Sequence, residues 1–307
     1  MGEQYSLFFV QRFKGKVLFE VPMSEYASLG VGGAAEVMVF PSDEADLKEL
    51  LNFAEVKKFP VFILGGGTNL LVRDRGLRGI VVNITEGFKD ISWSGDGLGA
   101  VIGAGLSLTR LVRRTADKGL AGLEFGEGIP GSVGGAAAMN AGAYGSEMSS
   151  VVEALEVISP GGRKGAKKRL IPKADIGYAY RGSNLPKGSV IVRVHMKFTK
   201  STTEDIEEKI KTYREKRRGT APLGVHTAGS IFKNPEGESA GKLIDEAGLK
   251  GHSIGDASIS EVHANYIVNN GRARSKDILA LIALIRDTVF RERGIVLEPE
   301  IKVVGEE

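Results

Sequence analysis

The pattern of apolar and polar residues predicts alternating strands and helices in the first 120 positions. Short apolar runs predict strands at Ala34–Phe40, Val61–Leu64 and residues 100–102. Apolar residues at helical spacing predict one helix from Pro41-Ser42 to about Lys58, with Ser42 as N-cap, and another over residues 107–118. The N-terminal part is therefore expected to mix helices and strands.

The same pattern continues through the rest of the chain. Predicted strands lie at residues 151–158, 190–198, 266–269 and 297–304. Predicted helices lie at residues 205–218, near residues 240–247, and from Ser275 to about Arg293. Because many connections have hairpin length, this order favours an α+β fold over a regular βαβ array. The charged helix at 205–218 is expected to lead into a further domain.

Composition narrows the function. The chain has 307 residues, of which 42% are hydrophobic and 26% charged, as in ordinary folded proteins. A net charge of +3 suits anionic small molecules and falls short of a nucleic-acid-binding surface. There is no cysteine, so redox chemistry requires a cofactor. The early apolar run at 7–10 is too short for a signal peptide and no long apolar run follows, so no membrane association and a cytoplasmic location are expected.

Two glycine-rich segments stand out among the 42 glycines. The first, Gly65-Gly66-Gly67-Thr68-Asn69, follows a predicted strand and precedes extended chain. Glycine lets backbone N–H groups surround a phosphate, and a tight turn is the plainer alternative. The segment lacks both the Gly-Lys-Ser/Thr ending of a P-loop and the following helix of a Rossmann fingerprint.

The second segment, residues 129–145, makes the ligand interpretation stronger. It is built almost wholly from small residues, which allow a large flat molecule to lie against the main chain. Core packing alone does not require so many glycines. Together the two segments predict two glycine-rich loops that hold a dinucleotide.

Three further motifs carry candidate chemistry. Arg181 follows Tyr180 and can form a bidentate fork on a carboxylate, although a surface ion pair is the plainer alternative. Ser230 follows two small residues, which leave its hydroxyl approachable, yet serine is common in such turns. Glu298 and Glu300 lie two apart, so on a strand both carboxylates share one face, as they also do at a solvated strand end.

In these motifs the chain resembles the UDP-N-acetylenolpyruvoylglucosamine reductases, whose FAD-binding fold is shared with vanillyl-alcohol oxidase. The matching segments run from Leu64 to residue 301 and occur in the family's order. The resemblance implies a two-lobed FAD-binding domain, with subdomains at residues 1–83 and 84–200, and a substrate-binding domain at 201–296. The last strand, at about 297–307, is expected to return near the active site.

The resemblance also implies site residues and partners. Arg181, Ser230 and Glu300 match catalytic positions, and Tyr180, Arg217 and Asn234 match or suggest substrate contacts. The partners implied are non-covalently bound FAD, NADPH as hydride donor, and UDP-N-acetylglucosamine-enolpyruvate, with no metal and a monomer favoured. The residues expected to bind FAD are Leu64, Gly65, Gly66, Gly67, Thr68, Asn69, Leu70, Gly131, Ser132, Gly134, Gly135, Asn140, Gly142 and Ala143.

Two departures and two alternatives remain open. The chain has Thr220-Ala221 where the family often has a lysine, and it has no room for the loop inserted in one subclass. It therefore resembles the loop-less type. The nearest alternative function is another FAD-dependent oxidase of the same fold, acting on a small alcohol. The other is a catalytically inactive regulatory protein that binds a nucleotide.

Overall fold

The computed structural model describes residues 8–9 and 11–307, so the apolar run at 7–10 lies partly outside the described residues. The chain divides into two compact units. Among the described residues, unit 1 comprises those up to Phe19 together with Val37–Gly66 and Gly79–Arg214. Unit 2 comprises Glu20–Glu36, Gly67–Arg78 and Glu215–Glu307.

Helices and strands are both abundant, which confirms the predicted α+β class. The α-helices whose bounds lie wholly within the described residues are α1 (Glu44–Lys57), α2 (Leu108–Ala116), α3 (Val133–Met139), α4 (Lys173–Ile176), α5 (Thr203–Thr220), α6 (Ala240–Glu246) and α7 (Ser275–Arg293). Single 3₁₀ turns lie at Met23–Glu25, Glu124–Gly126, Met148–Ser150 and Gly162–Lys164.

The strands form small sheets that are mostly antiparallel. In chain order they are β1 (Lys16–Pro22), β2 (Ala34–Phe40), β3 (Val61–Leu64), β4 (Leu70–Val72), β5 (Leu77–Asn83), β6 (Ile91–Trp93), β7 (Gly99–Gly103), β8 (Leu120–Ala121), β9 (Gly142–Ala143), β10 (Ser146–Glu147), β11 (Val152–Ser159), β12 (Lys167–Pro172), β13 (Val190–Lys197), β14 (Thr199–Lys200), β15 (Ser253–Ile254), β16 (Ala257–Ile259), β17 (Ile267–Asn269) and β18 (Lys302–Val304).

Strand order places the segments that matter for function. One sheet has the order β1-β2-β5-β3, with β3 and β5 parallel. Strand β3, at one edge of this sheet, ends directly before the first glycine segment. A five-stranded sheet has the order β12-β11-β13-β7-β6. In unit 2, β15-β16-β17 form a small sheet, and the last strand β18 runs parallel to β4.

Each unit has its own apolar core. In unit 1, α1 and α2 pack their apolar sides into one cluster with the strands of both sheets. In unit 2, α7 presents Ile278, Leu281, Ile285 and Val289, all fully buried and spaced three or four apart. Burial of such side chains contributes about 1.5–3 kcal/mol each before the cost of ordering the chain. The helical spacing in the sequence is thus what positions α7 in this core.

Two sequence predictions need correction. The N-cap of α1 is Asp43, not Ser42, because the Asp43 carboxylate accepts the Asp46 N–H at 2.7 Å. Ser42 instead donates its N–H to the buried Asp46 carboxylate. The strand predicted at 297–304 is regular only at Lys302–Val304, where it pairs with β4. No helix within the described residues is long and apolar enough to cross a membrane.

Candidate active site

In unit 1 the two glycine-rich segments touch each other through their main chains. A Cβ atom at Gly66 would lie 2.6 Å from the Gly131 Cα and 3.2 Å from the Ser132 N. A Cβ at Gly65 would lie 2.6 Å from the Ser132 Oγ. Real Cβ atoms do not approach backbone as closely as 2.6 Å, so glycine at position 66 permits the main-chain contact, while the Gly65 contact is with the Ser132 side chain. The structure therefore brings together the two segments that the sequence singled out separately.

The sequence predicted a loop for the second segment, but part of this segment is a helix in the structure. Ser132 caps the short helix α3 by accepting the Gly135 N–H at 3.2 Å, and the helix ends at Asn140 in the left-handed conformation. The buried Asn140 side chain donates to the Ala179 carbonyl at 3.0 Å and accepts the Ser149 N–H at 2.9 Å. Asn140 thus ties the second segment to the chain that carries Tyr180 and Arg181.

Tyr180 and Arg181 form the corner of a two-residue turn. Ala179 and Gly182 exchange backbone hydrogen bonds at 3.0 and 3.1 Å, and Arg181 has a φ of 56°. A left-handed backbone costs a residue with a Cβ about 1–2 kcal/mol, and residues under such strain cluster at functional sites. The Arg181 guanidinium stacks on the Tyr180 ring at 4.8 Å and donates to the Gly142 carbonyl at 2.9 Å. The turn therefore fixes the direction of the guanidinium.

Tyr144 is a residue of this region that sequence reasoning did not single out. Its ring lies 4.4 Å from the Tyr213 ring, nearly parallel, and its hydroxyl donates to the Tyr213 carbonyl at 3.0 Å. Its φ of 55° is again left-handed. The contact fastens the hairpin of β9 and β10 to helix α5. An aromatic residue between two small residues, Ala143 and Gly145, was the available signal.

In unit 2 the remaining part of the first glycine segment meets the C-terminal chain. Gly67 has a φ of 67°, and a Cβ there would lie 1.8 Å from the Tyr26 carbonyl oxygen. The Asn69 side-chain amide donates to the Glu300 carbonyl at 3.0 Å, and the Asn69 carbonyl accepts the Lys302 N–H at 3.1 Å. Asn69 and Glu300 are therefore neighbours, although 231 positions separate them.

Ser230 and Glu300 lie on segments that are hydrogen-bonded to each other. The Glu300 N–H donates to the carbonyl of Ile231 at 2.8 Å, and Phe232 pairs with Pro299. Both Ser230 and Glu300 are half-buried. Glu298 is exposed and forms an ion pair with Lys233 at 2.6 Å. The two carboxylates therefore differ in their surroundings: Glu298 lies at the surface in an ion pair, whereas Glu300 is partly shielded from solvent.

Other residues expected to contact substrate or FAD lie at, or form hydrogen bonds with, the ends of helices and strands. The Asn234 side chain accepts the Ala240 N–H at 3.0 Å at the start of α6, and Arg217 is half-buried in the last turn of α5. Leu64 and Leu70 are buried at the two ends of the first glycine segment. Within the described chain, no group of three or more His, Asp or Glu side chains is arranged to hold a metal ion.

His263 gives unit 2 a pH-sensitive contact. Burial lowers the pKa of His263; nearby Lys250 lowers it further and Asp245 opposes the shift. Its ring packs against Tyr266, and Nδ1 accepts the Asn265 N–H at 3.1 Å, which requires the neutral imidazole.

We expect acidification to weaken the fold through His263. Because the unfolded chain binds this proton more readily, stability is fully present above the ordinary pKa of about 6.5 and falls as pH drops toward the lowered pKa. Urea unfolding of the FAD-loaded protein between pH 7.5 and 5.5 measures how the free energy of unfolding changes with pH. His263→Asn keeps an acceptor near Nδ1 but does not titrate in this range. Its slope of free energy against pH should be smaller by at most the contribution of one proton. Equal slopes in both proteins would contradict the assignment.

Two protein families and several reductases match the chain. Residues 35–164 match the FAD binding domain family, and residues 221–304 match the UDP-N-acetylenolpyruvoylglucosamine reductase C-terminal domain. The UDP-N-acetylenolpyruvoylglucosamine reductase of Anaeromyxobacter sp. (strain Fw109-5) is 42% identical, over 96% of this chain and 91% of that protein. Reductase 2 of Symbiobacterium thermophilum is also 42% identical, over 96% and 94% of the respective chains.

Solved structures lead to the same family. The reductase MurB from Thermus caldophilus has a TM-score of 0.80 and 37% identity, over 94% of this chain and 98% of that one. A solvent-stable cholesterol oxidase, at 15% identity, has a TM-score of 0.51 over 62% of this chain and 39% of that one, which shows a shared fold alone. The chain belongs to the UDP-N-acetylenolpyruvoylglucosamine reductase family of FAD-dependent oxidoreductases.

Proposed function

We propose that this protein uses NADPH and bound FAD to reduce UDP-N-acetylglucosamine-enolpyruvate to UDP-N-acetylmuramate, a step of peptidoglycan precursor synthesis. The observation that carries the proposal is the joining of the Ser230 and Glu300 segments by the Glu300 N–H bond to Ile231 at 2.8 Å. The glycine segments at Gly66 and Gly131 support the cofactor. Family membership at 42% identity supports the substrate.

The residues present fit FAD. Gly66 is exposed beside Gly131, both Gly131 and Gly135 are partly exposed, and backbone that is open in this way suits a pyrophosphate and a flat ring. We assign the cofactor to these segments without a covalent link. The proposed contacts are Leu64, Gly65, Gly66, Gly67, Thr68, Asn69, Leu70, Gly131, Ser132, Gly134, Gly135, Asn140, Gly142 and Ala143.

When bound and reduced by NADPH, FAD would supply a hydride to the methylene carbon of the enolpyruvyl group. Negative charge then develops on the adjacent carbon and the substrate carboxylate. Arg181 stabilises that charge, with Glu300 in a supporting role. Ser230 gives its hydroxyl proton to the adjacent carbon. The hydride and the proton together convert the carbon–carbon double bond into a lactyl ether.

The remaining assignments concern substrate binding and organisation. Tyr180, Arg217 and Asn234 are proposed to contact the substrate. A neighbouring arginine is proposed to replace the lysine that the family often has near Thr220. We retain subdomains at 1–83 and 84–200, a substrate-binding domain at 201–296, and a monomer that acts in the cytoplasm.

A spectroscopic titration tests the proposal. We expect the purified protein to be yellow, to lose its flavin absorbance anaerobically with NADPH, and to regain it on addition of the enolpyruvyl substrate. UDP-N-acetylglucosamine, which lacks the enolpyruvyl group, is the control and should restore nothing. A colourless protein that takes up no added FAD, or reduced flavin that the substrate leaves bleached, would refute the assignment.

A further inference from the structure

Asn265 is a buried residue of unit 2 that forms hydrogen bonds with the chain directly after Ser230. Its side-chain Oδ1 accepts the Phe232 N–H at 2.9 Å, and its Nδ2 donates to the Phe232 carbonyl at 2.8 Å. Its own carbonyl accepts the Ile231 N–H at 2.9 Å. Only 3% of the residue is exposed, so these bonds form away from water. Asn265 therefore holds the two residues that follow Ser230.

Asn265 is itself held by the segment around it. Its N–H donates to His263 Nδ1 at 3.1 Å, and the His263 N–H donates to the Ser260 hydroxyl at 3.4 Å. Tyr266 donates its N–H to the His263 carbonyl at 3.0 Å and pairs with Ser230. The chain from Ser260 to Tyr266 is thus a closed turn that presents the Asn265 amide to the serine segment.

The two side-chain hydrogen bonds to Phe232 use both ends of the Asn265 amide. A planar amide offers one acceptor and two donors, which allows it to bind the N–H and the carbonyl of one residue together. In doing so it fixes the peptide planes on both sides of Phe232. On the opposite edge, Glu300 donates to the Ile231 carbonyl at 2.8 Å. The segment after Ser230 is consequently fastened from both sides.

We propose that Asn265 is a positioning residue for the Ser230 hydroxyl. It keeps the Ile231–Phe232 main chain fixed so that the hydroxyl stays in line for proton transfer to the substrate. The proposal rests on the proposed function, which assigns the proton to Ser230. Proton transfer requires contact at about 2.6–3.2 Å, and a displacement of about 1 Å can slow a reaction by about 10²-fold. Small freedom in this segment is therefore costly.

Asn269 provides a matched control in the same unit. It is also buried, with 4% exposed, and its Nδ2 donates to the Leu29 carbonyl at 2.9 Å. Its Oδ1 accepts the N–H groups of Gly271 and Ala273 at 2.8 and 3.1 Å. Its side-chain bonds do not include the residues after Ser230. Substitution of Asn269 thus removes a comparable set of buried bonds from a different segment.

The experiment compares Asn265→Ala with Asn269→Ala in the FAD-loaded enzyme. We expect Asn265→Ala to slow reoxidation of the reduced flavin by the enolpyruvyl substrate by roughly 10- to 100-fold, with flavin reduction by NADPH within about twofold of the parent. Hydrogen–deuterium exchange at the amides of Ile231 and Phe232 should accelerate in this variant. Asn269→Ala should alter neither quantity, even at an equal loss of thermal stability.

A double variant separates positioning from general loss of structure. If Asn265 acts through Ser230, Asn265→Ala adds little further slowing in a Ser230→Ala background. Slowing by the same factor in both backgrounds would overturn the proposal. Should Asn265→Ala fail to fold, Asn265→Asp keeps the side-chain volume and an acceptor for the Phe232 N–H. This variant should show a smaller slowing and faster exchange, and parent values for both would overturn the proposal.

The same measurements distinguish failure of the two proposals. If Ser230→Ala leaves substrate reduction unchanged, the role of Ser230 is wrong and the positioning role falls with it. If Ser230→Ala slows substrate reduction while Asn265→Ala does not, the positioning role alone is overturned.

Discussion

Ser230→Ala is expected to leave flavin reduction by NADPH unchanged while slowing substrate reduction by about 10² or more. Alanine fills nearly the same space but has no proton to give, and a positioned proton donor contributes about 10²- to 10⁴-fold to a rate. Only the second half of the catalytic cycle uses this proton. Rapid-mixing spectroscopy of the flavin follows each half separately. The prediction concerns the ratio of the two rates, which a general loss of folded protein does not change.

Ser253→Ala is the control for this experiment. Ser253 is an exposed serine of the same unit, and its hydroxyl donates to the nearby Gly251 carbonyl at 3.2 Å. Its removal should leave both rates unchanged. Equal slowing of flavin reduction and of substrate reduction by Ser230→Ala would contradict the role of Ser230 as proton donor. Unchanged rates would contradict it as well.

The local sequence pattern predicted much of the fold because several helices and strands are specified by residues within their own segments. The helix predicted from Ser275 to about Arg293 is present as α7, since its apolar residues recur at helical spacing and Gly294 follows it in a left-handed conformation. Helix α3 was missed. Its Val133–Met139 sequence is rich in glycine, which disfavours a helix by about 1 kcal/mol per residue. In the folded protein, Ser132 caps this helix and Gly134 lies in close contact with Ala104.

The candidate site was predictable only as separate motifs. The sequence identified the glycine segments and Ser230, but nothing local brings Gly66 to Gly131 or Asn69 to Glu300, because those contacts form only when distant chain segments pack. The left-handed backbone of Arg181 was also invisible, since arginine has no preference for it. Asn265 was not among the candidate site residues. The role proposed for Asn265 depends on the direction of its side-chain amide, and the local sequence does not specify that direction.

Gly66→Ala is expected to weaken FAD binding by roughly 10- to 100-fold. The added methyl would lie 2.6 Å from the Gly131 Cα and 3.1 Å from the Gly131 carbonyl carbon, so one main-chain segment must move away from the other. Overpacking of this kind costs about 1–3 kcal/mol, and each 1.4 kcal/mol changes an affinity tenfold. The residue has no left-handed φ, so the effect is steric. Titration of the FAD-depleted protein with FAD, followed by flavin fluorescence, measures the change.

Two glycines allow the steric effect to be separated from other consequences of adding a methyl group. Gly95→Ala meets no atom within 4 Å and should leave FAD affinity unchanged. Gly145→Ala also meets no atom but has a φ of 82°, so it introduces backbone strain without a collision. We expect its FAD affinity to fall less than that of Gly66→Ala. Parent affinity in Gly66→Ala, with the fold intact, would mean that close contact between the two glycine segments is not needed to hold FAD.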